Sequence, residues 1–111
     1  MKRALLALLA LTPLPAFADN IAICMDAGKS EEICACAAEA LAKETTAEDL
    51  AQYDAISAVF VEQRAEGLGW VEAWDKAVTT VAGETGMNAS TLQTAMNPVG
   101  TAHRKAMKGC E

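Results

Sequence analysis

The four cysteines constrain this 111-residue chain more than any other feature of its sequence. Three of them, Cys24, Cys34 and Cys36, lie close together in the first third of the chain, and Cys110 is the penultimate residue. An even number of cysteines in an exported chain predicts paired disulfides, whereas the same cysteines in a reducing compartment favour a metal or catalytic site. The compartment therefore has to be inferred first, from the N-terminal segment.

The first 18 residues have the parts of a secretory signal peptide. A short basic start is followed by the apolar run of residues 4–11, and an Ala-Phe-Ala cleavage signal precedes Asp19. We therefore expect residues 1–18 to be a cleaved signal peptide and residues 19–111 to form a single mature domain. The short basic start favours export to a bacterial periplasm, and secretion from the cell is also compatible with these residues.

Two other interpretations of the N-terminus fit its residues less well. A membrane anchor needs ~20 apolar residues, and the run of residues 4–11 is far shorter. A lipoprotein has a small residue before its acylated cysteine, but Ile23 precedes Cys24, and acylation would leave an odd number of cysteines. No later stretch is long and apolar enough to span a bilayer, so we expect a soluble mature protein.

The size and charge of the mature chain exclude several classes of function. Its 93 residues form one domain at most, which leaves no room for a separate cofactor domain. The whole chain has a net charge of −6, and loss of the signal peptide, with two basic and no acidic residues, makes it −8. Such an acidic protein repels phosphates, and with 5% aromatic residues it lacks a stacking platform, so we expect no nucleic-acid partner.

Alanine-rich segments with charges at helical spacing predict an all-α fold, because no stretch alternates with a period of two residues. Capping residues, glycines and one proline set the expected helix boundaries. The expected helices are residues 19–27, 30–44, 46–66, 70–84, 90–97 and a last segment that starts anew at Pro98 and ends before Gly109. They predict a small antiparallel helical bundle of about five helices, cross-linked by two disulfides.

Apolar residues recur at helical spacing on three of these segments, which indicates buried faces. The first two stripes comprise Leu50, Tyr53, Ser57 and Phe60, and Val71, Trp74, Val78 and Val81. Their spacing predicts that Trp74 is largely buried. The last stripe comprises Leu92, Met96, Val99, His103, Ala106 and Cys110. We therefore expect His103 and Cys110 to face the interior of the bundle.

Helical geometry removes one of the three possible disulfide connectivities. Cys34 and Cys36 lie about 200° apart around one helix, so they point to opposite sides and cannot pair with each other. The first two helices form a hairpin that turns near Lys29, and Cys24 and Cys34 are each five residues from that turn. We favour Cys24–Cys34 with Cys36–Cys110, and the pairing Cys24–Cys36 with Cys34–Cys110 stays open.

The sequence contains no catalytic constellation. It has one histidine, His103, and it lacks the Cys-x-x-Cys motif of thiol–disulfide enzymes and haem attachment sites. We therefore expect a non-catalytic binding or interaction protein of the bacterial envelope, without a cofactor, whose partner is an envelope protein or a small ligand. Two alternatives stay open: a thiol–disulfide redox protein, and a periplasmic copper(I)-binding or metal-delivery protein with ligands from Cys34, Cys36, His103 and Cys110.

Four side chains form a candidate binding surface: Trp70, Arg104, Lys105 and Lys108. Trp70 and Trp74 are one helical turn apart, so they either pack in the core or form the lip of a ligand groove. The three basic residues lie in the last helical turns, where cations complement the helix dipole. The alternative is that they form a docking patch for an acidic partner or a lipid headgroup.

Overall fold

A computed structural model describes residues 18–111, and this part of the chain contains five α-helices and no strand. The helices are α1 (Ala18–Asp26), α2 (Glu31–Glu44), α3 (Ala47–Ala65), α4 (Trp70–Thr85) and α5 (Ala89–Gly109). The predicted all-α bundle with two disulfides is thereby confirmed. Of the predicted signal peptide, residues 1–18, all but the last residue lie outside the described part of the chain.

Side-chain caps start three of the helices. Ser30, Thr46 and Asn88 each accept a hydrogen bond from a backbone N–H of the first helical turn, which satisfies donors that have no partner within the helix. The last helix therefore starts with Asn88 as its cap, two residues before the expected start at Ser90. At the end of α4, Gly86 adopts a left-handed conformation with φ of 74°, which stops the helix.

The expected break at Asn97-Pro98 is wrong, because α5 continues through Pro98. Proline lacks the N–H that would bond the carbonyl of Thr94, and a proline inside a helix costs about 3 kcal/mol. Met96 and Val99, on either side of it, are both buried in the same core. We attribute the continuity of the helix to this shared packing, which outweighs the local preference for a break.

The core lies where the helices pack in pairs. α3 packs against α4 and α2 against α5, while α1 contacts both α2 and α3. The largest fully buried apolar side chains are Phe60, Leu41, Ile56, Leu92 and Met96. No helix within residues 18–111 is both long and apolar enough to cross a membrane.

The inward face of α4 differs from the expected stripe. Ala73 and Ala77 are fully buried, whereas Val71 is 72% exposed and Trp74 keeps a small part of its surface exposed. The indole Nε1–H of Trp74 donates to Oε1 of Gln93 at 3.0 Å. Trp74 packs against the core and is not among the exposed apolar residues, so its side chain is largely but not fully buried. Alanines let α4 approach its neighbours closely, so the larger indole lies at the edge of the core, where its N–H has a partner.

The disulfides join the N-terminal helices to each other and to the C-terminus. The structure contains Cys24–Cys34, with Cα atoms 5.7 Å apart, and Cys36–Cys110, with Cα atoms 6.1 Å apart. This is the connectivity that the hairpin geometry favours. Cys34 is fully buried and Cys36 is exposed, as expected for two residues on opposite sides of α2. None of the four cysteines is a free thiol.

Candidate functional site

An open groove of about 800 Å³ lies between α1, α3, α4 and α5. Its volume falls within the range of about 300–1,000 Å³ that is typical of small-molecule sites. The apolar part of its wall consists of Ile23, Ala27, Tyr53, Trp70, Val71, Trp74, Met96 and Met107. We call this feature the aromatic groove, since both tryptophans of the chain line it.

Buried rings hold the two tryptophans of the aromatic groove in place. Trp70 and Trp74 are one turn apart on α4, so both indoles lie on the same side of the helix. The fully buried ring of Phe60 makes edge-to-face contacts with both, at centroid distances of 4.6 Å to Trp70 and 6.2 Å to Trp74. The guanidinium of Arg64 lies 5.7 Å from the centre of the Trp70 ring. Trp70 is nevertheless 43% exposed, which leaves much of the indole available to a ligand.

A buried polar pair also lines the groove. The Tyr53 hydroxyl and His103 Nδ1 are 2.7 Å apart, and the two rings meet edge to face. Burial lowers the pKa of His103 to about 4, so the imidazole is neutral at pH 7. Burial also raises the pKa of Tyr53. Neither group has a pKa near 7, the range that suits a general acid or base at neutral pH.

His103 Nε2 is buried and has no hydrogen-bond partner among the described residues. An unsatisfied buried polar atom costs about 1–3 kcal/mol, which the surrounding packing has to offset. With Nδ1 bonded to the Tyr53 hydroxyl, the ring presents this second nitrogen without a protein partner. The pair is therefore a neutral, incompletely satisfied polar element in the wall of the groove.

Titration of His103 tests this description, because it is the chain's single histidine. We expect its imidazole NMR signals to titrate with a pKa of about 4 instead of the usual 6.5. The unfolded chain binds the extra proton between these values, so the His103 contribution to stability is full above pH 6.5 and falls as the pH drops towards 4. Burial raises the pKa of Asp54, so the contribution of Asp54 to stability changes with pH in the opposite direction to that of His103. The NMR titration of His103 is therefore the decisive measurement, because a stability measurement contains both contributions. A measured pKa above 6 would contradict burial of the ring.

One end of the aromatic groove is basic. Lys29, Arg104 and Lys108 line it together with Glu111. Lys29 forms an ion pair with Glu111, and the bond and charge of this lysine lower the pKa of the Glu111 carboxyl. Arg104 donates to the hydroxyl of Thr101 at 3.2 Å. Within residues 18–111, neither Arg104 nor Lys108 forms an ion pair, although the charge of Lys108 also helps to lower the pKa of Glu111.

The structure brings together three of the four residues of the predicted binding surface. Trp70, Arg104 and Lys108 all line the aromatic groove. Lys105 is exposed on the same helix but is not part of the groove. The sequence places the three basic residues together near the end of one helix. In the structure, only Arg104 and Lys108 line the aromatic groove, and Lys105 lies outside it.

The residues of the predicted copper alternative have other partners. Cys34, Cys36 and Cys110 are all in disulfides, so they offer no thiolate ligand in this state. His103 bonds Tyr53 through one ring nitrogen. Among residues 18–111, no three His, Cys, Asp or Glu side chains are grouped so that they could hold a metal ion. A thiol–disulfide enzyme would likewise require one of the two bridges to open.

Two contacts of the site were not predicted from the sequence: the hydrogen bond between Tyr53 and His103, and the packing of Phe60 against the two tryptophans. A signal for the first was present, because both residues lie on inward stripes, and buried polar groups need hydrogen-bond partners. Tyr53 and His103 are 50 residues apart and lie on different helices, so the stripe on either helix does not show which residue is the partner.

Comparison with known proteins adds no family to this description. No protein-family model, curated protein or solved structure matches the chain. The function proposed below rests on the geometry of the aromatic groove.

Proposed function

We propose that this protein is an exported, non-catalytic binding protein that holds a small, largely apolar ligand in the aromatic groove. The observation that carries the proposal is the open groove of about 800 Å³ with both tryptophans in its wall. A small soluble domain gains no stability from the exposed part of Trp70, whereas a ligand that covers the indole would bury apolar surface.

Two features support export as the setting for this function. Residues 1–18 have the pattern of a cleaved signal peptide. Two disulfides are compatible with an oxidising compartment, which for a chain with this leader we take to be a bacterial periplasm. Expression of the full chain in a bacterium, followed by intact-mass measurement of the periplasmic fraction, tests the export step. We expect a mature N-terminus at Asp19, and a protein that retains Met1 or carries a lipid on Cys24 would contradict it.

Ligand binding can be measured directly with the protein from that fraction. N-phenyl-1-naphthylamine, a neutral apolar probe, should accept energy from Trp70 and Trp74, because both line the groove. We expect saturable binding of one probe per chain. Trp70→Ala should weaken it at least tenfold, since the indole forms much of the accessible apolar wall.

Met25→Ala is the matched control for this measurement. Met25 is also a large exposed apolar residue, at 45% exposure, but it is not part of the groove. We expect the control to bind the probe as the unmodified protein does. Equal losses in both variants, or no saturable binding at all, would contradict the proposed function.

A further inference from the structure

We propose that the ligand of the aromatic groove is a single-chain anionic amphiphile with a carboxylate head, that is, a long-chain fatty acid. Its carboxylate would bind at Arg104 and Lys108, and its acyl chain would lie along α5 towards Trp74. This inference rests on the proposed function and adds the chemical class of the ligand.

The length of the groove favours an extended ligand. Its lining on α5 runs from Gln93 to Lys108, which is about 22 Å at 1.5 Å per residue. Over this length the wall changes from uncharged to charged, with Trp74, Met96, Gln93 and Asn97 towards one end and Arg104 and Lys108 at the other. A molecule that fits this gradient has a long apolar body and one charged end. The volume suits one acyl chain better than a two-chain lipid.

The charges at the basic end favour an anionic head. The chain carries a net charge of −6, yet Arg104 and Lys108 line the groove without an ion-pair partner among residues 18–111. Lys29 is already paired with Glu111, whose carboxylate would repel an anion placed beside it. The head would therefore lie against Arg104 and Lys108, and an arginine can bind a carboxylate through two parallel hydrogen bonds.

The helix dipole alone does not account for this placement. Cations near the end of α5 complement its dipole whichever way they point, and Lys105 does so as well as its neighbours. Only Arg104 and Lys108 also line the groove. Lys105 therefore provides an internal control, because it carries the same charge on the same helical turn without access to the proposed ligand.

Three twelve-carbon amphiphiles with different heads test the inference. Laurate, 1-dodecanol and dodecyltrimethylammonium are titrated below their micelle-forming concentrations into the periplasmic protein at pH 7.5 and low salt, with calorimetry as the readout. We expect laurate to bind one per chain and at least tenfold more tightly than dodecanol, and the cation to bind most weakly. Raising the salt concentration should weaken laurate binding but not dodecanol binding.

Variants assign the head group to its site. The Arg104→Gln, Lys108→Gln double variant should bind laurate about tenfold more weakly, near the affinity of dodecanol, and its affinity for dodecanol should not change. Lys105→Gln should leave both affinities unchanged. Circular dichroism of each variant checks that the helices are intact. Equal affinity for laurate and dodecanol in the unmodified protein, or equal losses in the Lys105 control and the double variant, would overturn the inference.

The outcomes also separate this inference from the proposed function. If the neutral naphthylamine probe binds but laurate does not, the groove binds ligands and the fatty-acid assignment fails. If neither binds, both proposals fail. Sedimentation provides the last check: a dimer that persists with laurate present and hides both tryptophans would mean that a second copy of the chain covers the groove, which would overturn the inference.

Discussion

Replacement of Cys110 by serine is expected to lower the free energy of unfolding by about 4 kcal/mol and the melting temperature by more than ten degrees. Cys36–Cys110 joins residues 74 positions apart, so it restricts the unfolded chain over most of its length. Loop-closure entropy assigns about 4.5 kcal/mol to such a cross-link, a large part of the ~5–15 kcal/mol that stabilises a typical domain. Urea denaturation followed by circular dichroism measures the loss.

Two further variants make this measurement specific. The Cys36→Ser, Cys110→Ser double variant has no unpaired thiol and should show the same loss as Cys110→Ser. Glu111→Gln, at the next residue, removes only an exposed ion pair and should leave the stability close to that of the unmodified protein. Peptide mapping without reduction should join Cys110 to Cys36. A free Cys110 thiol in the native periplasmic protein would contradict the structural role and revive a metal or redox site that involves Cys36 and His103.

Phe60→Ala is expected to cost about 3–5 kcal/mol, the second large effect. The ring on α3 is fully buried, and its removal leaves a cavity beside Trp70 and Trp74. Both indoles would lose a packing partner, so the variant should also show altered tryptophan emission and weaker binding of the naphthylamine probe. Stability is measured by circular dichroism, because the tryptophan signal itself changes.

Phe60→Leu separates core volume from ring contacts. Leucine restores much of the apolar volume, so the loss of stability should be clearly smaller than for alanine. The edge-to-face contacts with Trp70 and Trp74 are absent in both variants, so both should change the emission. A loss below 1 kcal/mol for Phe60→Ala would mean that the ring is not part of the core.

The fold and its cross-links could be predicted from the sequence because they depend on local rules. Helix caps at Ser30 and Thr46 are read from a few residues. The opposite directions of Cys34 and Cys36 exclude one disulfide pairing, and the position of the hairpin turn favours the observed one of the remaining two. The prediction of a helix break at Pro98 was wrong because it depended on local rules alone. A local preference of about 3 kcal/mol can be outweighed by packing against other helices, which local rules do not include.

The candidate site was less predictable, because four helices form it. The inclusion of Trp70, Arg104 and Lys108 in one surface was expected, but the exclusion of Lys105 depends on the rotation of α5 about its axis in the bundle. The position of Trp74 depends on how closely the alanines of α4 approach their neighbours. These quantities are set by the whole core, so a stripe on a single helix does not determine them.

The position of Cys110 also implies that the groove is complete only after the Cys36–Cys110 disulfide has formed. The bridge to Cys36 anchors the last turn of α5, and Lys108 at the basic end of the groove lies two residues before it. Chain ends fray when nothing holds them, so before oxidation this end of the groove would be poorly fixed. Under the proposed function, a newly made chain in the reducing cytosol would therefore bind its fatty-acid ligand poorly. Capture of ligand would begin only after export, when thiol oxidation has fixed the C-terminal turn in place.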